Sequence, residues 1–167
     1  MILALILAAL FTSGSGVNST SAESVAFKSV ACDFLTHDNA MKILGRQSIG
    51  TDGGMTEDPE GRKWRCTFVP VDAASNSPKL HFMIMRSPGE DVAKQSFDAI
   101  RQSNKRLAGF EEWPGVGDEA LVHSDGKNFQ FVMVRKGVKS IRIKVNPADG
   151  VSLETVKAVA SSLVTKM

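Results

Sequence analysis

The chain has 167 residues, 43% of them hydrophobic and 23% charged, which is the composition of an ordinary globular protein and the length of one domain with a substantial core. Its 20 basic and 18 acidic residues give a net charge of +2. This small charge excludes a strong long-range field toward nucleic acid or an anionic membrane, so any such partner would need a local patch.

The N-terminal segment predicts export. Residues 2–11 form an apolar run of signal-peptide length, although no basic residue precedes it, and a plausible cleavage site lies at residues 20–22. An N-terminal core helix is the alternative, but Ser, Gly, Thr and Asn dominate the continuation. We expect a signal peptide at 1–22, a linker at 23–30 and a single domain at 31–167, in the periplasm or secreted. No later apolar run approaches the roughly 20 residues of a spanning helix, so no membrane span is expected.

The two cysteines, Cys32 and Cys66, predict a disulfide, because an even number of cysteines in an exported chain is first interpreted in this way. Closing a loop of this length would stabilise the fold by about 4 kcal/mol on chain-entropy grounds. Free buried thiols are one alternative, and a nucleophilic Cys32 with His37 as its base is another. We favour the structural disulfide, because the chain has no C-x-x-C motif and proximity in sequence does not supply catalytic geometry.

The first element predicted within the domain is a short helix. Thr36 is placed to cap its N-terminus, Asp38 favours the positive end of the helix dipole, and Gly45 ends it. The apolar face consists of Ala40, Met41, Ile43 and Leu44. On this interpretation His37 is exposed in the first turn and takes no part in catalysis.

Residues 46–63 predict a long mobile loop, because five glycine and proline residues interrupt this stretch. Long loops often carry function. Here, however, the spacing of the acidic residues does not match a calcium loop, and no Gly-Lys-Ser/Thr follows the glycines as in a phosphate loop. We therefore assign neither a metal nor a nucleotide to this stretch.

Two strand-like runs follow, at residues 63–70 and 79–86, and the turn-rich segment between them predicts neighbouring antiparallel strands. The second run is largely apolar on both faces, which indicates a central strand. We interpret His81 in this run as a structural histidine rather than a ligand.

The strongest helix start in the chain comes next. Ser87 and Glu90 have the spacing of a capping box around Pro88, and the helix is expected to run to about Arg106. Its buried side is expected to carry Ala93, Phe97, Ile100 and Leu107.

Three further strands and a helix complete the chain. A strand at residues 119–123 leads through a hairpin turn into two strands that flank residues 135–139. Asp118 and Glu119 are a poor catalytic pair, because adjacent side chains on an extended chain point to opposite faces. The last helix is capped by Ser152. Its apolar side consists of Leu153, Val156, Ala160 and Leu163.

A cluster of basic residues marks the last two strands. It consists of Arg135, Lys136, Lys139, Arg142 and Lys144. Such a cluster could bind a phosphate, an acidic polysaccharide or an anionic lipid surface. The solvated face of an antiparallel sheet is the simpler interpretation, and we prefer it. Nucleic acid is not expected, because no aromatic side chain alternates with these charges for stacking.

The elements follow the order α-β-β-α-β-β-β-α. Short links between the strands predict an antiparallel sheet of about five strands, with the helices packed on it. The sequence thus predicts an α+β domain.

From Cys32 to the C-terminus, the chain resembles the small exported or lipoprotein-like domains of unknown function of bacterial cell envelopes, common on actinobacterial surfaces. The motifs are Cys32–Thr36 leading to Leu44-Gly45, Cys66–Phe68, Gly115–Ala120, and the final helix with Ala158–Ala160. The resemblance implies a disulfide-tied α+β domain outside the cytoplasm and no chemistry to transfer. The chain departs from the lipid-anchored members, because no cysteine directly follows its apolar leader.

We expect a non-enzymatic domain that binds a small ligand or an envelope protein, and we assign it no catalytic residue, metal or cofactor. One alternative is a hydrolase or metal-dependent enzyme that uses His37, His81 or His123 with nearby carboxylates. The other is a protein that binds anionic envelope polymers through the basic cluster.

Overall fold

A computed structural model describes residues 30–167, so the predicted signal peptide, and the predicted linker up to residue 29, lie outside the described residues. The helices are α1 (Val30–Phe34), α2 (His37–Leu44), α3 (Glu90–Asn104) and α4 (Leu153–Val164). The strands are β1 (Ser48–Asp58), β2 (Gly61–Pro70), β3 (Lys79–Arg86), β4 (Phe110–Glu112), β5 (Glu119–Ser124), β6 (Gln130–Lys136) and β7 (Lys139–Asn146). None of these helices is long and apolar enough to cross a membrane.

The seven strands of residues 30–167 form one antiparallel sheet in the order β1-β2-β3-β7-β6-β5-β4. The predicted α+β class is confirmed, with two strands more than the five expected. The last strand, β7, lies between β3 and β6, so it joins the N-terminal three strands to the C-terminal three. β3 is an interior strand, as its two apolar faces predicted.

The prediction of a long loop over residues 46–63 is wrong, because most of this stretch is the edge strand β1. β1 pairs with β2 on both sides of a bulge between Asp52 and Met55. Gly54 in this bulge has a φ of 73°. A Cβ on Gly53 would lie 2.9 Å from the Cβ of Arg65 on the neighbouring strand. The glycines therefore permit a bulge and a close approach within a strand, rather than a loop.

Two short elements were not predicted. The helix α1 has five residues and the strand β4 has three. Neither is long enough to show a clear hydrophobic period, which is the signal that identifies an element in a sequence.

The ends of α2 and α4 confirm the predicted caps. The Thr36 hydroxyl accepts a hydrogen bond from the backbone N–H of Asn39 at 3.3 Å, and Gly45 ends α2 with a φ of 70°. At α4 the Ser152 hydroxyl accepts from the backbone N–H of Thr155, also at 3.3 Å. These interactions are local, so the sequence contains all the groups that they require.

The predicted capping box of α3 is wrong. The N-cap is Gly89, which makes no side-chain cap bond. The backbone N–H of Ser87 instead donates to the carbonyl of Val138 at 2.8 Å, which attaches Ser87 to the turn between β6 and β7. The helix ends at Asn104, before the predicted Arg106. Leu107, predicted to be buried, is 52% exposed.

The helices cover the two faces of the sheet unequally. α1, α2 and α4 pack with the main core on one face. On the other face α3 contributes Phe97 to a small core with Leu121 on β5 and Met133 on β6. On β2 and β3, four side chains of that second face stay partly or fully exposed, namely Arg65, Thr67, His81 and Met83. α3 therefore leaves part of this face uncovered.

The predicted disulfide between Cys32 and Cys66 is confirmed, with 5.2 Å between the two Cα atoms. Cys32 belongs to α1 and Cys66 to β2, where it is 1% exposed within the main core. The bond therefore fastens the first helix of the domain to the sheet.

Candidate functional site

The uncovered part of the sheet face aligns side chains from neighbouring strands in rows. In one row Lys144 on β7 lies between His81 on β3 and Phe131 on β6. Thr67 on β2 extends the row on one side, and His123 on β5 extends it on the other. Because paired residues in an antiparallel sheet point to the same face, these side chains share one surface.

The adjacent row places a second cation beside Lys144. Arg142 on β7 lies between Met83 on β3 and Met133 on β6. Arg65 on β2 follows Met83 in this row, and Leu121 on β5 follows Met133. Leu121 and Met133 lie in the small core beneath α3. Arg142 therefore lies at the edge of the part of the sheet that α3 covers.

Two adjoining cavities open on these rows, with volumes of about 380 and 230 Å³. Both are lined by Phe131, Arg142 and Lys144. The larger also touches Ile100, Asn104, His123 and Phe129. The smaller also touches Arg65, Thr67, His81 and Met83. We refer to the surface formed by Arg65, His81, Phe131, Arg142 and Lys144 as the basic groove.

The charge of Arg142 is largely removed from water and forms no ion pair within residues 30–167. Burial lowers the pKa of Arg142 and Arg65 lowers it further, while Glu60 opposes them. Its Nε is buried without a hydrogen-bond partner among residues 30–167, and no carboxylate in that range lies within 4.0 Å of its guanidinium. A buried, unpaired charge costs free energy. Because perturbed charged groups cluster at functional sites, Arg142 marks this part of the sheet as a candidate site.

The cations around Arg142 are also without carboxylate partners. In the part of the chain that the structure describes, no Asp or Glu oxygen lies within 4.0 Å of Arg65, Lys79 or Lys144. Arg65 donates a hydrogen bond to the neutral hydroxyl of Thr56 at 3.0 Å. The positive charge of the basic groove is therefore not neutralised locally.

The basic residues at the other end of this face are paired. Arg135 donates from Nε to Glu119 at 2.6 Å and from a terminal nitrogen to Asp118 at 3.0 Å. Arg101 on α3 reaches the other oxygen of Glu119, also at 2.6 Å. Burial raises the pKa of Glu119, but the hydrogen bonds from Arg135 and Arg101 outweigh it and leave the pKa below its ordinary value. This network is structural.

The structure divides the five basic residues of the predicted cluster. Arg142 and Lys144 line the basic groove, whereas Arg135 belongs to the ion-pair network. Lys136 and Lys139 lie against the C-terminal end of α4. Their ammonium groups donate to the main-chain oxygens of Val164 at 3.2 Å and Met167 at 2.7 Å, respectively.

Three groove residues, Arg65, His81 and Phe131, were not predicted as members of the site. Arg65 and His81 lie on β2 and β3, far from β7 in the sequence. Alternation along each strand assigns them to one face, but the pairing of β3 with β7 is what brings them beside Arg142 and Lys144. The sequence has no signal for that pairing.

The histidine of the basic groove is held by a neutral neighbour. His81 Nδ1 and the Thr67 hydroxyl form a hydrogen bond of 3.2 Å. Burial lowers the pKa of His81, and the charges of Lys144 and Lys79 lower it further. His81 therefore adds positive charge only in acid.

The two other histidines also bind neutral groups. His123 Nδ1 and Asn104 Oδ1 form a hydrogen bond of 2.8 Å, and the ring of His123 meets that of Phe129 edge-on at 4.8 Å. His37 is exposed, as predicted, and contacts the carbonyl of Ser48 at 3.2 Å. Residues 30–167 contain no group of three or more His, Cys, Asp and Glu that could hold a metal. The enzyme alternative therefore gains no support from the positions of the histidines.

A cavity of about 550 Å³, larger than either of the two adjoining cavities, lies elsewhere, at the turn between β1 and β2. It is lined by Glu57, Asp58, Arg62 and Arg86, among others. Arg62 donates to Glu57 at 3.1 Å. Because both signs of charge line this cavity, it favours neither anions nor cations, and we prefer the basic groove as the candidate site.

Comparisons with known proteins do not identify a family. No protein-family model matches the sequence, and a search of curated proteins finds no match. The candidate site therefore rests on the positions and charges of its own residues.

Proposed function

We propose that this domain is a non-enzymatic binding module that holds a small anionic ligand in the basic groove. The observation that carries the proposal is the partly buried guanidinium of Arg142, beside Lys144 and without a carboxylate partner among residues 30–167. The paired state of Arg101 and Arg135 on the same face supports it, because the fold does neutralise its other partly buried arginines there.

The chemistry of the groove suits a carboxylate, phosphate or sulfonate. A guanidinium presents its N–H donors in a planar fork that matches two oxygens of such a group. Arg142 would supply this fork, and Lys144 and Arg65, which line the same cavity, would add positive charge. A bound anion would accept hydrogen bonds from the terminal N–H groups of Arg142, and its charge would offset the cost of removing the guanidinium from water.

An NMR titration tests this proposal. Inorganic sulfate and methanesulfonate would be added to the ¹⁵N-labelled protein, and the Nε–H signal of Arg142 would be followed with the backbone amides of β7. We expect saturable shifts that weaken with added salt. The variant Arg142→Gln should lose affinity by about 10-fold or more, as for a hydrogen bond to a charged group, whereas Lys166→Gln, at an exposed lysine of the C-terminus, should not. Equal affinity in both variants would contradict the proposal.

We also propose that the module works outside the cytoplasm, in the periplasm or as a secreted protein. The disulfide supports this placement, because such bonds persist in oxidising compartments. Mass spectrometry of the protein isolated from its natural source tests it. We expect cleavage near residues 20–22 and a mass that corresponds to oxidised cysteines. An intact leader with both thiols reduced would contradict this placement.

A further inference from the structure

The basic groove continues into an apolar cavity. The cavity of about 380 Å³ has the charges of Arg142 and Lys144 at one side. Beyond them its wall is formed by Ile100 on α3 and by Phe129 and Phe131. Each of these three side chains is partly exposed, so apolar surface faces the cavity directly beside the two cations.

At the far end of this cavity, the side-chain amide of Asn104 and Nδ1 of His123 already have partners. Asn104 donates from its side-chain amide to the carbonyl of Ile100 at 2.7 Å, and its Oδ1 is bonded to His123. These groups do not require a polar ligand. A ligand that extends from Arg142 past Phe131 would therefore meet mainly apolar surface there.

The loop that carries Phe129 is well braced. The Asp125 carboxylate accepts hydrogen bonds from the backbone N–H groups of Lys127, Asn128 and Phe129, at 2.7 to 3.1 Å. Ser124 donates from its hydroxyl to the carbonyl of Phe129 at 3.1 Å. The apolar wall is therefore fixed before any ligand binds, which reduces the entropy lost on binding.

From this juxtaposition we infer that the ligand of the basic groove is an amphipathic anion, with an acidic head at Arg142 and Lys144 and an apolar chain or ring against Ile100, Phe129 and Phe131. The inference rests on the proposed function and narrows the class of ligand. Charge alone would hold a fully hydrophilic anion equally well. The apolar wall adds the free energy of burying hydrocarbon.

Matched ligands test the inference by calorimetry on the mature domain. Decanesulfonate, below its micelle concentration, shares its head with methanesulfonate and its chain with decyltrimethylammonium. Each buried methylene should tighten binding about fourfold. We therefore expect decanesulfonate to bind about 250-fold more tightly than methanesulfonate if about four methylenes are buried. Naphthalenesulfonate carries a planar aromatic ring on the same sulfonate head, so it shows whether a ring can replace the chain.

The outcomes separate the inference from the proposed function. If methanesulfonate binds as tightly as decanesulfonate, the inference fails and the anion site stands. If decyltrimethylammonium matches decanesulfonate, or if neither sulfonate binds, the proposed function fails as well.

Two variants assign the head and the chain to their contacts. Phe129→Ala should weaken decanesulfonate by about 10-fold or more and leave methanesulfonate unchanged, whereas Arg142→Gln should weaken both. Thermal melts would show that each variant is folded. If Phe129→Ala weakened both sulfonates equally, the apolar wall would not bind the chain and the inference would be wrong.

Discussion

Lys144 on β7 lies directly opposite His81 on β3, and after burial its charge is the larger of the two charge effects that lower the pKa of His81. Thr67 faces His81 from β2, and Lys79 lies on the same strand. His81 is thus neutral at pH 7 and becomes a further cation of the basic groove in acid.

This relationship predicts that sulfonate binding strengthens as the pH falls. A bound anion stabilises the protonated form of His81, so binding takes up a proton below about pH 6.5. We expect methanesulfonate, whose own charge does not change in this range, to bind several-fold more tightly at pH 5 than at pH 7.5. His81→Gln should abolish the difference, and His37→Gln, at an exposed histidine, should preserve it. A pH dependence that survives in His81→Gln would contradict this assignment.

The free protein should show the opposite trend in stability. Because the pKa of His81 is lower in the folded than in the unfolded state, the unfolded chain binds this proton first as the pH falls. The contribution of His81 to stability is therefore present above about pH 6.5 and decreases below it. We expect Tm to fall less between pH 7.5 and pH 5 in His81→Gln than in the wild type. The measurement uses a buffer whose anion binds the basic groove weakly. An identical fall in both proteins would rule this out.

The two arginines of the same sheet face should respond oppositely to replacement by an apolar side chain. Arg142→Met removes an unpaired charge between two methionines, so it should leave the free energy of unfolding unchanged or raise it by about 1 kcal/mol. Arg135→Met leaves Glu119 without one of its partners and should lower the free energy of unfolding by about 2 to 4 kcal/mol. Urea denaturation measures both. If Arg142→Met is as destabilising as Arg135→Met, Arg142 has a structural role and is not held unpaired for a ligand.

Removal of the disulfide should destabilise the fold strongly. The double variant Cys32→Ala and Cys66→Ala loses the link between α1 and β2. Its free energy of unfolding should be lower by about 4 kcal/mol, and by less where the unfolded chain retains structure. A reductant should lower the midpoint of urea unfolding in the wild type and leave the double variant unchanged. Equal midpoints for the oxidised wild type and the variant would show that the bond contributes nothing.

The hydrogen bonds that Asp125 accepts in the Phe129 loop give a prediction that separates the acidic head of the ligand from its apolar chain. Hydrogen bonds from Asn128 and from the backbone of the turn hold the pKa of Asp125 at about 2. The Asp125 carboxylate is therefore ionised at all ordinary pH values and keeps accepting these hydrogen bonds. Asp125→Ala should free the Phe129 loop, weaken decanesulfonate several-fold and leave methanesulfonate unchanged. Asp149→Ala, at an exposed carboxylate of another turn, serves as the control. Unchanged binding of decanesulfonate by Asp125→Ala would show that these hydrogen bonds do not shape the site.

The missed edge strand illustrates why local patterns mislead. Several glycines in one stretch predict a loop when each residue is considered alone. In the structure Gly53 and Gly54 are required by a bulge, because one approaches Arg65 closely and the other has a positive φ. Only the partner strand β2 makes this use of glycine evident.

The sequence by itself determined the disulfide, because the chain has only two cysteines. It also determined the α+β class and the caps of α2 and α4, because hydrophobic period and capping depend on residues close together in the chain. Alternation along β7 places Arg142 and Lys144 on the face opposite its buried isoleucines. The tertiary structure decided which cations stay unpaired. That outcome depends on the insertion of β7 beside β3 and on the limited reach of α3, and both are set by contacts between residues distant in sequence.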